Sequence, residues 1–379
     1  MVTYPEDWRE VKLGEALVYT QPTNYIENNY VEHGVVPVLT AGKSFILGYS
    51  DKTDSAYKNL PAILFDDFTT EVRYLDYPFM VKSSATKFLN LKSDYYDIKY
   101  LYYWLDKLKF QIEAHERHWI SRFSKFNIVL PPLAEQQAIA SALSDFHEHI
   151  DNLSELIEKK KAIRDGALED LVSGRIRLDG FEGEWEEKSF KDLGDILTGL
   201  TYSPDNIRPS GKLVIRSSNV QDDRLSFEDN VFVDRTCVIS EDIKKGDIIL
   251  CVRNGSASLI GKSAYANSDL DATFGAFMSN FRCKNHDSSG FVYYFTKSVM
   301  FKKFVKQILG ATINQITKTD LKRVTLKIPV DIEEQQAIAD VLTAMDEEIE
   351  SLKIEKEKMI QIKEGAMDDL LTGRVRLKA

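Results

Sequence analysis

EQQAIASALSDFHEHIDNLSELIEKKKAIRDGALEDLVSGRIRL, Glu135 to Leu178, returns later as EQQAIADVLTAMDEEIESLKIEKEKMIQIKEGAMDDLLTGRVRL, Glu334 to Leu377. The copies align without a gap at a constant offset of 199 residues, and about half the positions are identical, which marks a duplicated unit. In the first copy Ile139, Leu143, Phe146, Ile150, Leu153 and Ile157 alternate spacings of four and three. This is a heptad seam, which Lys160 and Arg164 interrupt before Ala167 and Leu171 resume it. The second copy gives Ile338, Leu342, Met345, Ile349 and Leu352, then Met359, Ala366 and Leu370. Pro131 and Pro132, or Pro329, precede each helix, and Gly174 or Gly373 supplies its stop. Two helices of roughly 35 residues follow, each about 50 Å long at the α-helical rise. Two matched seams in one chain are best buried against each other, antiparallel.

The duplication reaches beyond the helices. Tyr4-Pro5-Glu6-Asp7-Trp8-Arg9-Glu10 opens the first half and Phe181-Glu182-Gly183-Glu184-Trp185-Glu186-Glu187 the second, with a Trp-to-Trp offset of 177. The second unique region is therefore about 22 residues longer than the first. Arg175-Ile-Arg-Leu178 leads into the second opening, while Arg374-Val-Arg-Leu377 leads to the C-terminus. Joining that end to Trp8 completes a two-unit ring, so the termini are expected close in space. Val35–Leu39, Ala62–Phe65, Ile248–Val252 and Val324–Ile328 read as strands bounded by turn residues. Tyr95 to Glu113 and Gly290 to Leu309 read as helical, with core stripes at Tyr102, Trp104, Leu105 and Leu108, and at Tyr294, Phe295, Val299 and Phe304.

The net charge of −10 is unevenly spread. Residues 1–130 carry 15 basic and 17 acidic side chains, and residues 180–328 carry 21 and 19. The repeat regions 131–179 and 329–379 hold 6 against 10 and 7 against 13, so the acidity sits on the helices. The nearly neutral unique regions can gather Lys and Arg on one face, and overall acidity does not exclude DNA. No apolar run approaches a membrane span. The N-terminus lacks a secretory pattern, and three cysteines without CxxC spacing suit a reduced, cytoplasmic setting.

Catalytic motifs fail one by one. Gly255-Ser-Ala-Ser-Leu-Ile-Gly261-Lys262-Ser263 has five residues between the glycines where a phosphate-binding P-loop has four. There is no dinucleotide-binding glycine pattern, no adenine-methyltransferase box and no zinc spacing. His115 and His118 lie three apart and read as surface polar residues. The chain is expected to be non-catalytic and to hold no metal or cofactor.

Polar and basic clusters remain. In the first unique region they are Lys43-Ser44, Arg73, Lys82-Ser83, and Arg117-His118 with Arg122; in the second, Arg216-Ser217 with Asn219, Arg253-Asn254 with Ser256, Lys262, and Asn314-Gln315 with Lys318. Arg and Lys can bond guanine O6 and N7, and Asn or Gln can pair bidentately with adenine. Ser, Thr and Lys supply phosphate contacts that position without specifying. These are the candidate DNA-binding residues.

The whole arrangement resembles the specificity subunit of a type I restriction–modification system. The resemblance is carried by LPPLAEQQAIA (130–140) and IPVDIEEQQAIA (328–339), and by the helices ending SGRIRL and TGRVRL. GDIILCVRNGSASLIGKSA (246–264), LGATINQITKTDLKRVTLKIP (309–329) and HERHWISRFSKFNIVLPP (115–132) also carry it. It implies an α+β (mixed α/β) fold: target-recognition domains at 1–130 and 180–328, separated by two long antiparallel coiled-coil helices at 131–179 and 329–379, pseudo-two-fold and circularly arranged. It further implies a bipartite double-stranded DNA target, with the helices as a ruler between half-sites. Two methyltransferase subunits would bring S-adenosylmethionine, and restriction/translocase subunits would bring ATP and Mg. Alternatives are a specificity subunit of another restriction–methylation architecture, or a coiled-coil adaptor without DNA contact.

Overall fold

The computed structural model describes residues 4–40, 44–108, 118–310 and 314–377. They fall into two compact units, Met1–Glu155 with Lys353–Ala379, and Leu156–Leu352. Each unit takes one unique region and half of each long helix, so the repeats are structural members of both units.

The first unit contains β1 (Arg9–Lys12), α1 (Leu13–Ala16), β2 (Leu17–Thr20), β3 (Val36–Leu39), β4 (Ile46–Ser50), β5 (Ala62–Asp66), β6 (Val72–Leu75), β7 (Met80–Val81) and β8 (Thr86–Leu91). Then come α2 (Ile98–Lys107), α3 (His118–Ser121), β9 (Asn127–Leu130) and the start of α4 (Leu133–Val172). One antiparallel sheet has the order β2-β8-β5-β6, and a second has β4-β3-β7. β3 and β7 run parallel with Leu39 opposite Val81, and β1 pairs with β9. The apolar run of β5 is buried throughout because it lies inside its sheet, between β8 and β6.

The second unit contains β10 (Trp185–Ser189), α5 (Phe190–Leu193), β11 (Gly194–Thr198), β12 (Ile207–Arg208), β13 (Lys212–Ile215), β14 (Val220–Gln221), β15 (Arg224–Leu225) and β16 (Val231–Val233). It continues with β17 (Ile248–Cys251), β18 (Ser263–Tyr265), β19 (Ala272–Phe274), β20 (Met278–Cys283), α6 (Ser289–Lys297), α7 (Val299–Leu309), α8 (Lys318–Lys322), β21 (Thr325–Pro329) and α9 (Ile332–Leu371). The sheet order β11-β20-β17-β18 repeats that of β2-β8-β5-β6. β13 and β19 form a parallel pair like β3 and β7, with Ile215 opposite Phe274. The β14–β15 hairpin has no strand counterpart among the described residues of the first unit and accounts for part of the added length.

All four expected strands form. The expected helix over 290–309 is two helices instead. Ser298 leaves the helical region (φ −66°, ψ 157°), and its side chain caps α7 by accepting from the Phe301 N–H. Val299, expected in the core, is therefore 46% exposed at the start of a new helix.

The long helices have 40 residues each. They stop at Gly174 and Gly373, at φ +72° and +73°, the left-handed conformation that glycine enters without strain. A Cβ on Gly174 would meet the Trp185 ring at 3.3 Å, and one on Gly373 would meet Pro5 at 2.8 Å and Trp8 at 3.3 Å. In the first unit Ile139 and Leu143 of α4 share a core with Met367, Leu370 and Leu371 of α9. In the second, Leu168, Leu171 and Val172 share one with Ile338 and Leu342. Each such side chain contributes roughly 1.5–3 kcal/mol by leaving water. The start of one helix thus meets the end of the other in each unit, so the pairing is antiparallel. The interruption of the first seam has a partner: Lys160 meets Glu348 at 2.6 Å and Arg164 pairs with Asp346. The expected ring also closes, since Arg376 bonds both carboxylate oxygens of Asp7 at 2.8 and 2.7 Å.

Candidate nucleic-acid interface

In the second unit three candidate clusters, scattered over a hundred residues of sequence, converge. The chain leaving β17 turns at Arg253, whose N–H donates to the Phe277 carbonyl at 3.1 Å. Arg253 also pairs through its backbone with Gln315 in an antiparallel bridge. One residue earlier, the Val252 carbonyl accepts from the Ile316 N–H at 2.8 Å. The Cys251 thiol donates to the Arg253 carbonyl at 3.6 Å, and burial pushes its pKa up, so it stays a protonated donor. Asn254 fixes the turn by accepting from the Ser256 N–H at 3.0 Å, and its Nδ2 donates to Ser217 Oγ at 3.1 Å. Asn314 Nδ2 reaches the Gly255 carbonyl at 3.4 Å. Above this framework the Arg253 guanidinium lies over the Phe277 ring, 5.0 Å from its centroid, and Phe277 is 52% exposed.

Arg216 and Asn219 play different parts. Arg216 Nη2 is held by the Asp229 carboxylate at 2.7 Å, which neutralises it. Asn219 was expected at the surface but is fully buried. Its Oδ1 accepts from the Arg216 N–H, and its Nδ2 donates to the Ser226 and Asp229 carbonyls, so it braces the loop from beneath. Lys262 is exposed at the far end of the 253–262 loop and lines a groove of about 430 Å³ with Lys302 and Lys306 of α7. Lys318 is exposed at the start of α8, and no described contact joins it to the cluster.

The first unit places its candidates at the equivalent sheet end. Loops leave β3 and β7 side by side, and the Lys82 N–H donates to the Leu39 carbonyl at 3.0 Å. Ser44 and Ser83 are exposed. Arg73 lies 5.7 Å from the Phe45 ring centroid, next to Ser44, and pairs with Glu71 at 3.3 Å. The Lys82 ammonium sits 5.0 Å over the Tyr30 ring. Lys43, Arg117 and His115 lie outside the described residues. Arg122 is exposed in the turn after α3, apart from these loops in the described contacts.

His118 is a correction, being 3% exposed where a surface residue was expected. Its main chain docks on the turn after β5: the His118 N–H donates to the Asp67 carbonyl at 3.1 Å and the Trp119 N–H to Asp67 Oδ1 at 2.9 Å. Asp67 in turn pairs with Lys87 at 3.2 Å, both side chains 1% exposed. His118 and the adjoining Trp119 are buried and anchor the unit.

Sequence reasoning missed the aromatic plates Phe277, Phe45 and Tyr30. No period marks them, because each is read as core until a cation is seen beside it.

One fold written twice in a chain, with unlike polar loops at matching sheet ends, defines a two-module recognition protein. The chain belongs to the type I restriction modification DNA specificity domain family, whose model matches residues 5–162 and again 182–363. It is 29% identical over 361 residues to the EcoR124I/EcoR124II specificity subunit of Escherichia coli, covering 88% of this chain and 85% of that protein. It is 26% identical over 414 residues to the MjaVIII specificity subunit of Methanocaldococcus jannaschii, covering 99% and 94%. Among solved structures, the type I restriction–modification S subunit from M. genitalium shares the fold, with a TM-score of 0.67 at 18% identity over 96% of both chains. No described helix is long and apolar enough to cross a membrane.

Proposed function

We propose that residues 1–130 and 180–328 are target-recognition domains, each reading one half of an asymmetric bipartite DNA site. The observation that carries this reading is the convergence of Ser217, Arg253-Asn254 and Asn314-Gln315 around the exposed Phe277. A cation and several amides held on a braced loop match the donor and acceptor pattern of base edges in the major groove. The unlike composition of the first unit's loops (Ser44, Arg73, Lys82, Ser83) supports unlike half-sites. The helices at 131–179 and 329–379 set the spacing and dock two methyltransferase subunits, through which restriction/translocase subunits join. The acidity of those helices suits a protein-facing role. In this assembly S-adenosylmethionine, ATP and Mg are held by the partners, this chain performs no catalysis, and the complex works in the cytoplasm.

Sequencing the modified bases of cells that carry this chain with its methyltransferase subunits tests the reading. Two different half-sites around an unread spacer are expected. A palindromic or continuous motif would overturn it.

A further inference from the structure

We propose that Arg253, held over Phe277, reads a guanine in the half-site of the second unit, with Phe277 as its positioning residue. This rests on the reading of that unit as a DNA reader. Eight of the ten arginines of Leu156–Leu352 have a carboxylate partner: Arg164, Arg175, Arg177, Arg208, Arg216, Arg224, Arg235 and Arg282. Such a pair offsets the guanidinium charge and, where the two are hydrogen-bonded, occupies part of its fork. Among the described residues Arg253 and Arg323 have none, and only Arg253 of these two lies over an aromatic ring. Its donors are therefore free while its base is fixed by the Phe277 and Gln315 backbone contacts.

Guanine recognition needs that combination. O6 and N7 accept two parallel hydrogen bonds, so the fork must be unoccupied and held in orientation before it arrives. A phosphate contact needs charge and reach but no support for the guanidinium, and it usually comes with other free cations. The near neighbours of Arg253 are instead the amides Asn254, Asn314 and Gln315; of the cations flanking its loop, Arg216 is neutralised by Asp229, and Lys262 stands at the loop's other end, beside Lys302 and Lys306. The Arg253 guanidinium is thus set among amides that brace its loop, and the lysines lie on the adjoining groove. Phe277 holds the cation without consuming a donor, as a carboxylate would.

The test maps the sites modified by the full chain assembled with its methyltransferase subunits, on a library randomised in both half-sites. Arg253→Ala is expected to make one guanine position degenerate, with discrimination there falling about 5- to 140-fold, the equivalent of one bidentate pair. Arg253→Lys should relax the same position, since an ammonium lacks the fork. Phe277→Ala should weaken it and Phe277→Tyr restore it, which loss of loop structure alone would not do. The other half-site should stay unchanged in every variant, showing that the assembly is intact. Uniformly weaker modification with an unchanged motif would make Arg253 a phosphate contact and overturn the proposal. Relaxation at a position other than guanine would do the same. In both cases the bipartite reading survives, whereas a wild-type complex without two half-sites would sink that reading itself.

Discussion

Arg177 grips Glu334 through two parallel hydrogen bonds, Nε to Oε1 at 2.9 Å and Nη2 to Oε2 at 2.6 Å. Glu334 is fully buried at the start of α9, and Trp185 Nε1 also donates to it at 3.3 Å. Arg376 repeats the grip on Glu135 at 2.8 and 2.6 Å. The end of each repeat copy thus holds the beginning of the other. That relation explains why the EQQ and GRxRL motifs recur together. The first Gln of each motif also points its Nε2 at the carbonyl of the proline before the helix, Pro131 or Pro329, at 2.9 and 2.6 Å.

Glu334→Gln should loosen the second unit alone. The neutral amide loses charge-assisted bonds of roughly 1.5–3 kcal/mol. Hydrogen exchange should accelerate around Arg177, Trp185 and the first turns of α9, while the first turns of α4 stay protected. Glu135→Gln should give the mirror result. If either variant loosened both helix starts alike, the clamp would not be local.

The duplication was legible because helices keep their period and their motif residues under divergence. The strands Ala62–Phe65 and Ile248–Val252 were legible for a related reason: interior strands are continuous apolar runs. What sequence could not show was which polar residue faces which way. His118 and Asn219 look like surface residues, but the Asn219 amide satisfies backbone groups of a neighbouring loop, and His118 is carried inward by its main-chain bond to the Asp67 carbonyl, demands visible only once the loops are placed. Phe277 looks like core but carries Arg253 on its exposed face. The break at Ser298 was hidden because a serine inside an aromatic helix is unremarkable until its hydroxyl is seen capping the next one.

The repeat offset sets His147 of the first copy against Asp346 of the second, and Lys363 against Arg164. The Arg164–Asp346 ion pair of the second unit thus becomes a Lys363 to His147 Nδ1 contact at 3.4 Å in the first. Partial burial, then the Lys363 charge, lowers the His147 pKa below its ordinary value, with Asp151 and Asp106 opposing. A histidine with a depressed folded pKa binds its proton more readily when unfolded, so stability falls as pH drops below about 6.5. Wild type should lose melting temperature between neutral and mildly acidic pH relative to His147→Gln. Parallel curves for the two proteins would remove the effect.

Lys297 provides the alkaline counterpart in the second unit. Burial lowers its pKa to about 8, against the raising influence of Asp223, which sits 2.7 Å away. Unfolded, the amine keeps its proton up to about 10.4. Between these values the unfolded chain binds more protons, so this group makes folding more favourable as pH rises from about 8 toward 10. At about 1.4 kcal/mol per pKa unit the span is roughly 3 kcal/mol. The stability difference between wild type and Lys297→Met, followed by denaturant unfolding across that range, should shift in favour of wild type. A difference independent of pH would mean that Lys297 titrates normally.

Salt dependence separates free cations from spent ones. Each phosphate neutralised releases counterions and steepens log K against log salt by about 0.9. Lys82 lies over Tyr30 with no carboxylate partner among the described residues, so Lys82→Ala should flatten the slope for duplex DNA by about that amount. Arg216 is already bonded to Asp229 and offers phosphate little, so Arg216→Ala should leave the slope nearly unchanged. Asp229→Asn frees the guanidinium and should steepen it, with stronger binding to any sequence at low salt. Titrations of the full chain with its methyltransferase subunits, at several salt concentrations, read all three. A flattening by Arg216→Ala equal to that of Lys82→Ala would show that the Asp229 pair opens on DNA. Arg216 would then join Arg253 as a contact residue.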